Sequence, residues 1–198
     1  PKVNFEASAH GKNLWVAVGE DVASGNAAIY TSPTPDFNNA TQRTSANNAP
    51  IACIVSGDDK FVCGHTNGDF SFSLDGITWQ PSNPTGNLNR IGKVKYANNK
   101  FVAVAGDNIF HSDDGISWTK IEVNSITIPV PIAGGTNGTT ADTLTYNTFE
   151  NSWFSIGAGH VLKSGDGITW SQDNQYHDGG TNAIFPRNTM FKDLHCNP

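Results

Sequence analysis

Ser112-Asp113-Asp114-Gly115-Ile116-Ser117-Trp118 decides the fold, because the chain repeats it. Ser73-Leu74-Asp75-Gly76-Ile77-Thr78-Trp79 precedes it and Ser164-Gly165-Asp166-Gly167-Ile168-Thr169-Trp170 follows it, so the pattern is S-x-D-G-I-[ST]-W. Upstream of each copy stands a short run led by an aromatic: Phe61-Val62-Cys63-Gly64, Phe101-Val102-Ala103-Val104 and Trp153-Phe154-Ser155-Ile156. A further run, Trp15-Val16-Ala17-Val18-Gly19, leads to Ile29-Tyr30-Thr31-Ser32 and a decayed copy, Ser32-Pro33-Thr34-Pro35-Asp36-Phe37.

The heptapeptide has a mechanical explanation. Asp75, Asp114 and Asp166 can accept hydrogen bonds from backbone N–H groups of a tight turn. Gly76, Gly115 and Gly167 then supply a backbone conformation closed to residues with a Cβ. Ile and Trp return the chain to the sheet, and Trp79, Trp118 and Trp170 are large enough to pack between neighbouring sheets. Metal binding or catalysis is the competing reading of these carboxylates. It fits less well, because a catalytic residue is usually needed once and these sit at equivalent places in successive units.

The leading aromatics are 46, 40 and 52 residues apart. Those are one-blade distances for a β-propeller of four-stranded antiparallel sheets. The third unit reads as strands 92–97, 100–105, 108–112 and 117–123, with Asn98-Asn99 and Gly106-Asp107 as turns of positive φ. The expected blades are approximately 1–44, 45–86, 87–123 and 140–178, with 179–198 closing the ring or starting another blade. Either the ring closes within the chain or something outside completes its core. Composition agrees with an all-β fold: 20 Gly and 11 Phe with only 15% charged residues disfavour a helical bundle. No apolar run is long enough to span a membrane as a helix. The net charge of −6 and scattered lysines and arginines disfavour nucleic acid and anionic membrane surfaces as partners.

These segments resemble the Asp-box, or BNR, repeat of sialidase-like β-propellers. The spelling is one residue shorter between Asp and Trp than in sialidases. With the preceding F-V-A-V strand, it is similar to repeats of phage tail and tail-fibre proteins and of secreted bacterial proteins. The resemblance covers roughly residues 1–175 and implies an extracellular or virion-associated propeller. It does not select a function, because glycosidases, lectins, assembly factors and viral adhesins share the repeat. A sialidase-like hydrolase would need clustered arginines for the substrate carboxylate, a Tyr nucleophile and an Asp acid/base. Arg43, Arg90 and Arg187 lie in different units. Other glycosidases need two facing carboxylates, and Glu6, Glu20, Glu122 and Glu150 recur in no suggestive place.

Spacing locates the variable surface. From the leading aromatic to the Trp of the heptapeptide is 18, 17 and 17 residues, whereas from that Trp to the next leading aromatic is 22 and then 35. In a four-stranded antiparallel blade, the short heptapeptide turns share one face of the ring. The two-three turns and the blade-to-blade links share the other, and irregular loops gathered on a rigid scaffold are where binding usually resides. The candidate ligand-binding residues there are His65, Asn67, Asp107, Asn108, His160, Tyr176 and His177, with Asp21 in the first unit's longer 20–26 loop. Amides, imidazoles and an aromatic plane suit hydroxyl-rich ligands such as glycans; ordinary solvated loops are the alternative. His65 and His160 both reach toward a central channel, but no zinc spacing or nucleotide motif occurs, so neither metal nor cofactor is expected.

Of Cys53, Cys63 and Cys196, the odd count leaves one thiol unpaired within the chain. A hairpin centred on Asp58 would place Cys53 opposite Cys63, within disulfide reach; two small core residues are the alternative. Pro1 opens directly into a strand, as in a processed chain or an excised piece. The sequence therefore points to a non-enzymatic module recognising glycan or a cell-surface receptor. A structural piece making only protein–protein contacts, within a larger assembly, is the first alternative, and a sialidase-like hydrolase the second.

Overall fold

The computed structural model describes residues 2–106, 108–121, 143–157 and 160–172. They form four antiparallel four-stranded sheets, each a meander of consecutive strands. The first comprises β1 (Val3–Gly11), β2 (Leu14–Asp21), β3 (Asn26–Ser32) and β4 (Thr41–Arg43). The second comprises β5 (Ile51–Gly57), β6 (Lys60–His65), β7 (Phe70–Ser73) and β8 (Gln80–Pro81). The third comprises β9 (Lys93–Ala97), β10 (Lys100–Ala105), β11 (Asn108–Ser112) and β12 (Thr119–Ile121). The fourth comprises β13 (Thr143–Asn147), β14 (Ser152–Gly157), β15 (His160–Ser164) and β16 (Ser171–Gln172). The sheets are the blades of a β-propeller, and among the described residues there is no helix.

Alternation along each second strand explains how the blades meet, because successive side chains leave a strand on opposite faces. Phe61 and Cys63 of β6 join Val16, Val18 and Ile29 of the first blade in one core, closed by Trp79. The intervening Val62 turns the other way, into a core with Phe101, Ala103 and Phe110 of the third blade. Val102 and Val104 of β10 again turn forward, onto Leu144, Trp153 and Trp170 of the fourth. The second strands of the two middle blades, β6 and β10, thus each serve two cores. Among the described residues no apolar cluster joins the fourth blade to the first.

The heptapeptide turn is built identically each time. Asp114 Oδ1 accepts from Ile116 N at 2.8 Å and Ser117 N at 2.7 Å. Ser112 Oγ donates to the same carboxylate at 2.9 Å and accepts from Gly115 N at 2.8 Å. Asp75 and Asp166 repeat the pattern with Ser73 and Ser164. The N–H groups of Thr78 and Ile77 hold Asp75 below the usual carboxylate range. At Asp114 and Asp166 partial burial is the largest single effect and pushes upward. The combined hydrogen bonds outweigh it, leaving Asp114 lowered and Asp166 at about 2. The turn extends through the Trp, so the fourth strands begin later than the pattern predicts: β12 starts at Thr119, and Ile77 is exposed.

The glycine has a second task. Gly115, at φ +69°, lies where a Cβ would stand 2.8 Å from Val62 Cγ2 of the preceding blade and 3.2 Å from Phe101 of its own. Gly76 meets Leu14 and Phe61, and Gly167 meets Val102 and Trp153, in the same relation. Trp79 and Trp170 donate Nε1–H to the carbonyls of Gly76 and Gly167 at 3.3 and 3.2 Å. Trp118 instead stacks on Phe70 of the preceding blade, centroids 3.9 Å apart and planes 7° from parallel. The cause is local: the residue facing the turn is Phe70 here, whereas the corresponding places in the first and third blades hold Ile29 and Ile109.

The Cys53–Cys63 pairing does not form, and the reason is register. The β5–β6 turn is two residues, Asp58 and Asp59, both at positive φ, so Gly57 pairs with Lys60. Cys53 then faces Gly64, and Cys63 faces Ile54. The two thiols leave opposite faces of the sheet, Cys53 toward the third blade and Cys63 toward the first, and both are free and buried. Burial pushes Cys53 up to about 12 and Cys63 well above its ordinary value.

The glycine's two roles can be separated. Gly86 has φ +68° with nothing within 4 Å of its Cβ position, so Gly86→Ala isolates backbone strain, about 1–2 kcal/mol. Gly115→Ala adds the collision with Val62, and urea unfolding is expected to show roughly 1–3 kcal/mol of further loss. Equal losses at the two positions would mean that this glycine does not seat one blade on the next.

Candidate functional site

The face opposite the heptapeptide turns carries the β2–β3 and β6–β7 turns and the links 44–50 and 82–92. Backbone hydrogen bonds tie the first link to both blades it joins: Ala27 N donates to Asn48 O at 2.8 Å, and Thr66 N to Pro50 O at 2.9 Å. Side chains reinforce it. Asp69 Oδ2 accepts from Asn47 Nδ2 at 2.9 Å and from Asn67 Nδ2 at 2.8 Å. The second link is held likewise, with Ile91 N on His65 O at 3.0 Å and Gly92 N on Val104 O at 2.8 Å.

An open cavity of about 430 Å³ lies at the start of this face, between the β2–β3 turn, the end of β4 and the link 44–50. Its walls carry amides (Asn26, Gln42, Asn47, Asn48), hydroxyls (Ser24, Thr44, Ser45), Asp21 and Arg43; Ala27 is the one apolar residue among them. Asp21 Oδ1 accepts from Ala23 N at 2.9 Å and Ser24 N at 3.1 Å. Those bonds, Ser24's first, hold Asp21 below the usual carboxylate range, so it is ionised at neutral pH. Hydrogen-bonding groups on two segments of the first blade and on the link that leaves it therefore converge on one concavity.

The residues singled out from sequence fare unevenly. His65 is a correction: it is fully buried and stitches the link to the second blade. Its Nδ1 lies 2.8 Å from Ala49 O, which can only accept, so Nδ1 carries the proton; Nε2 accepts from Ser71 Oγ at 2.8 Å. Buried there, it cannot reach a ligand. Asn67 is exposed but engaged with Asp69. Asn108 Nδ2 donates to Asn87 Oδ1 at 3.4 Å, joining the third blade to the second link. Asp107, Tyr176 and His177 lie outside the described residues, as does the side chain of His160, whose backbone opens β15. Among the described residues no cluster of His, Cys, Asp and Glu is placed to hold a metal ion.

Sequence reasoning found Asp21 and the longer loop around it but missed the rest of the cavity. Arg43 was weighed only as a catalytic arginine. The available signal was Thr44-Ser45-Ala46-Asn47-Asn48, four hydrogen-bonding side chains in five residues where the first unit passes into the second.

No family model matches the chain, and no curated protein does. Solved β-propellers do. The virginiamycin B lyase of Staphylococcus aureus aligns over 87% of this chain at 9% identity and a TM-score of 0.65. The extracellular domain of BT4673 from B. thetaiotaomicron aligns over 85% at 9% identity and 0.59, and the Niastella koreensis GH74 enzyme over 85% at 18% and 0.59. The chain spans 56%, 22% and 30% of those proteins, respectively. At such identities the likeness shows the propeller fold alone. No helix among the described residues is long and apolar enough to cross a membrane.

Burial, the largest effect, lowers the pKa of His65 below 6.5 despite the bond to Ala49. The unfolded chain therefore takes up a proton first as pH falls. The stability linked to His65 is fully present above the unfolded value and is lost as pH drops through the lower folded value. Ring ¹⁵N shifts should show a neutral Nδ1–H tautomer persisting below pH 6.5, with stability declining as pH falls below that value. A ring that protonates at or above its ordinary value would contradict the buried stitch.

Proposed function

We propose that this protein is a non-enzymatic recognition module that binds glycan, on a cell surface or a receptor, through the long-loop face of its propeller. The observation that carries the reading is the polar cavity beside the link between the first two blades, lined by the amides of Asn26, Gln42 and Asn48 and by hydroxyls, and held by a link that Asn47 braces. Sugars present closely spaced donors and acceptors, and side-chain amides match them in pairs. Asp21 is the one carboxylate in the lining, whereas glycosidic hydrolysis ordinarily uses two; this favours binding over turnover.

The Asp-box assignment belongs to this proposal as well. The identical Ser-Asp-Gly turns in three blades support it, and with it an extracellular or virion-associated setting such as a phage tail adhesin. The net charge of −6 favours neither nucleic acid nor anionic membrane as the target.

Asn26→Ala combined with Gln42→Ala removes two amides from the cavity wall. On a broad glycan array the parent chain should bind, and the double variant should bind at least tenfold more weakly with an unchanged Tm, since about 1.4 kcal/mol corresponds to tenfold. Absence of binding across the array would overturn the reading and favour a purely structural module.

A further inference from the structure

One group in the cavity differs from its neighbours. Arg43, the last residue of β4, is the one cation in a lining otherwise made of amides, hydroxyls, Asp21 and Ala27. Its Nε–H donates to Thr31 Oγ1 at 2.9 Å, and Thr31 is itself buried in β3 and donates to Thr41 O at 3.4 Å. One edge of the guanidinium is therefore fixed to the sheet. Its charge is not answered by a carboxylate: Lys12, Lys60, Arg90, Lys100 and Lys163 each have an acidic partner, and among the described residues Arg43 has none. Asp21, the acid in the same wall, is satisfied instead by the N–H groups of its own turn.

A planar donor fork held at one edge, with no partner for its terminal nitrogens among the described residues, is suited to bidentate recognition of a carboxylate. Phosphate sites usually gather several cations or a nest of backbone N–H groups, and this wall has one cation. The amides Asn26, Gln42 and Asn48 surround it with groups suited to hydroxyls. We propose that the cavity takes an acidic saccharide, seated with its carboxylate on Arg43 and its hydroxyls on the neighbouring amides. This rests on the glycan-binding reading and names its ligand class. With a net charge of −6 the protein gives such a ligand no long-range attraction, so selectivity comes from this one contact and is salt-sensitive.

The test follows the Arg43 Nε–H resonance, assigned by its loss in Arg43→Lys, while the full chain is titrated with glucuronate, glucose or inorganic phosphate. Glucuronate is expected to shift that resonance together with the amides of Asn47 and Asn48, and to bind at least tenfold more tightly than glucose. Arg43→Gln should abolish the preference, and Arg43→Lys, which keeps the charge without the fork, should retain only part of it. Equal affinity for the two sugars would overturn the carboxylate inference and leave the glycan reading standing. Phosphate acting as strongly as glucuronate would overturn it in favour of a simple anion site. No response at Arg43 to either sugar would overturn it too. The array, carrying neutral and acidic glycans, then decides separately whether the protein binds glycan at all.

Discussion

A blade of four strands has two apolar faces and can bury neither alone, so everything here depends on how one sheet seats against the next. The seat is the turn after the third strand. Its carboxylate gathers two N–H groups and its serine a third, which fixes a tight corner without help from the rest of the sheet. The glycine then lies against the second strand of the preceding blade with no room for a methyl group, and the tryptophan closes the same junction. Fully burying one large aromatic contributes roughly 2–3 kcal/mol, so each junction is held by the corner and by the aromatic it delivers. Lys60 adds to the second junction: it is buried, pairs with Asp58 and lies 5.6 Å from the Phe101 ring centroid.

This arrangement divides the two ends of the propeller. The end carrying the heptapeptides is committed to docking, so its sequence is nearly constant. The other end has only to return the chain from one blade to the next. There a few partly buried bonds, such as His65 to Ala49 and Asn47 to Asp69, brace a link. The cavity around Asp21 and Arg43 has the link so braced as one of its walls.

Much of the fold was legible because its cause is local. Asn98-Asn99 reads as a turn of positive φ and is one, with φ of 48° and 53°. The roles of Asp114 and Gly115 follow from what a carboxylate and a missing Cβ can do in a tight corner. Errors arose where one residue of register changes the answer. Centring the hairpin on Asp58 rather than between Asp58 and Asp59 brings two cysteines together that in fact leave opposite faces. His65 was misplaced for a related reason: its position near a loop suggested exposure, and only the path of the link over it shows burial. The cavity was hardest to foresee, since it is shared by segments of two units and no single stretch announces it.

The central claim is that side chains of adjacent blades are energetically coupled through these turns. A double-mutant cycle on Phe70→Ala and Trp118→Ala, read by urea unfolding, tests it most directly, because these rings stack across the junction of the second and third blades. A coupling of roughly 0.5–1.5 kcal/mol is expected for such a pair. Losses that simply add, within about 0.3 kcal/mol, would show that the turn does not join the blades.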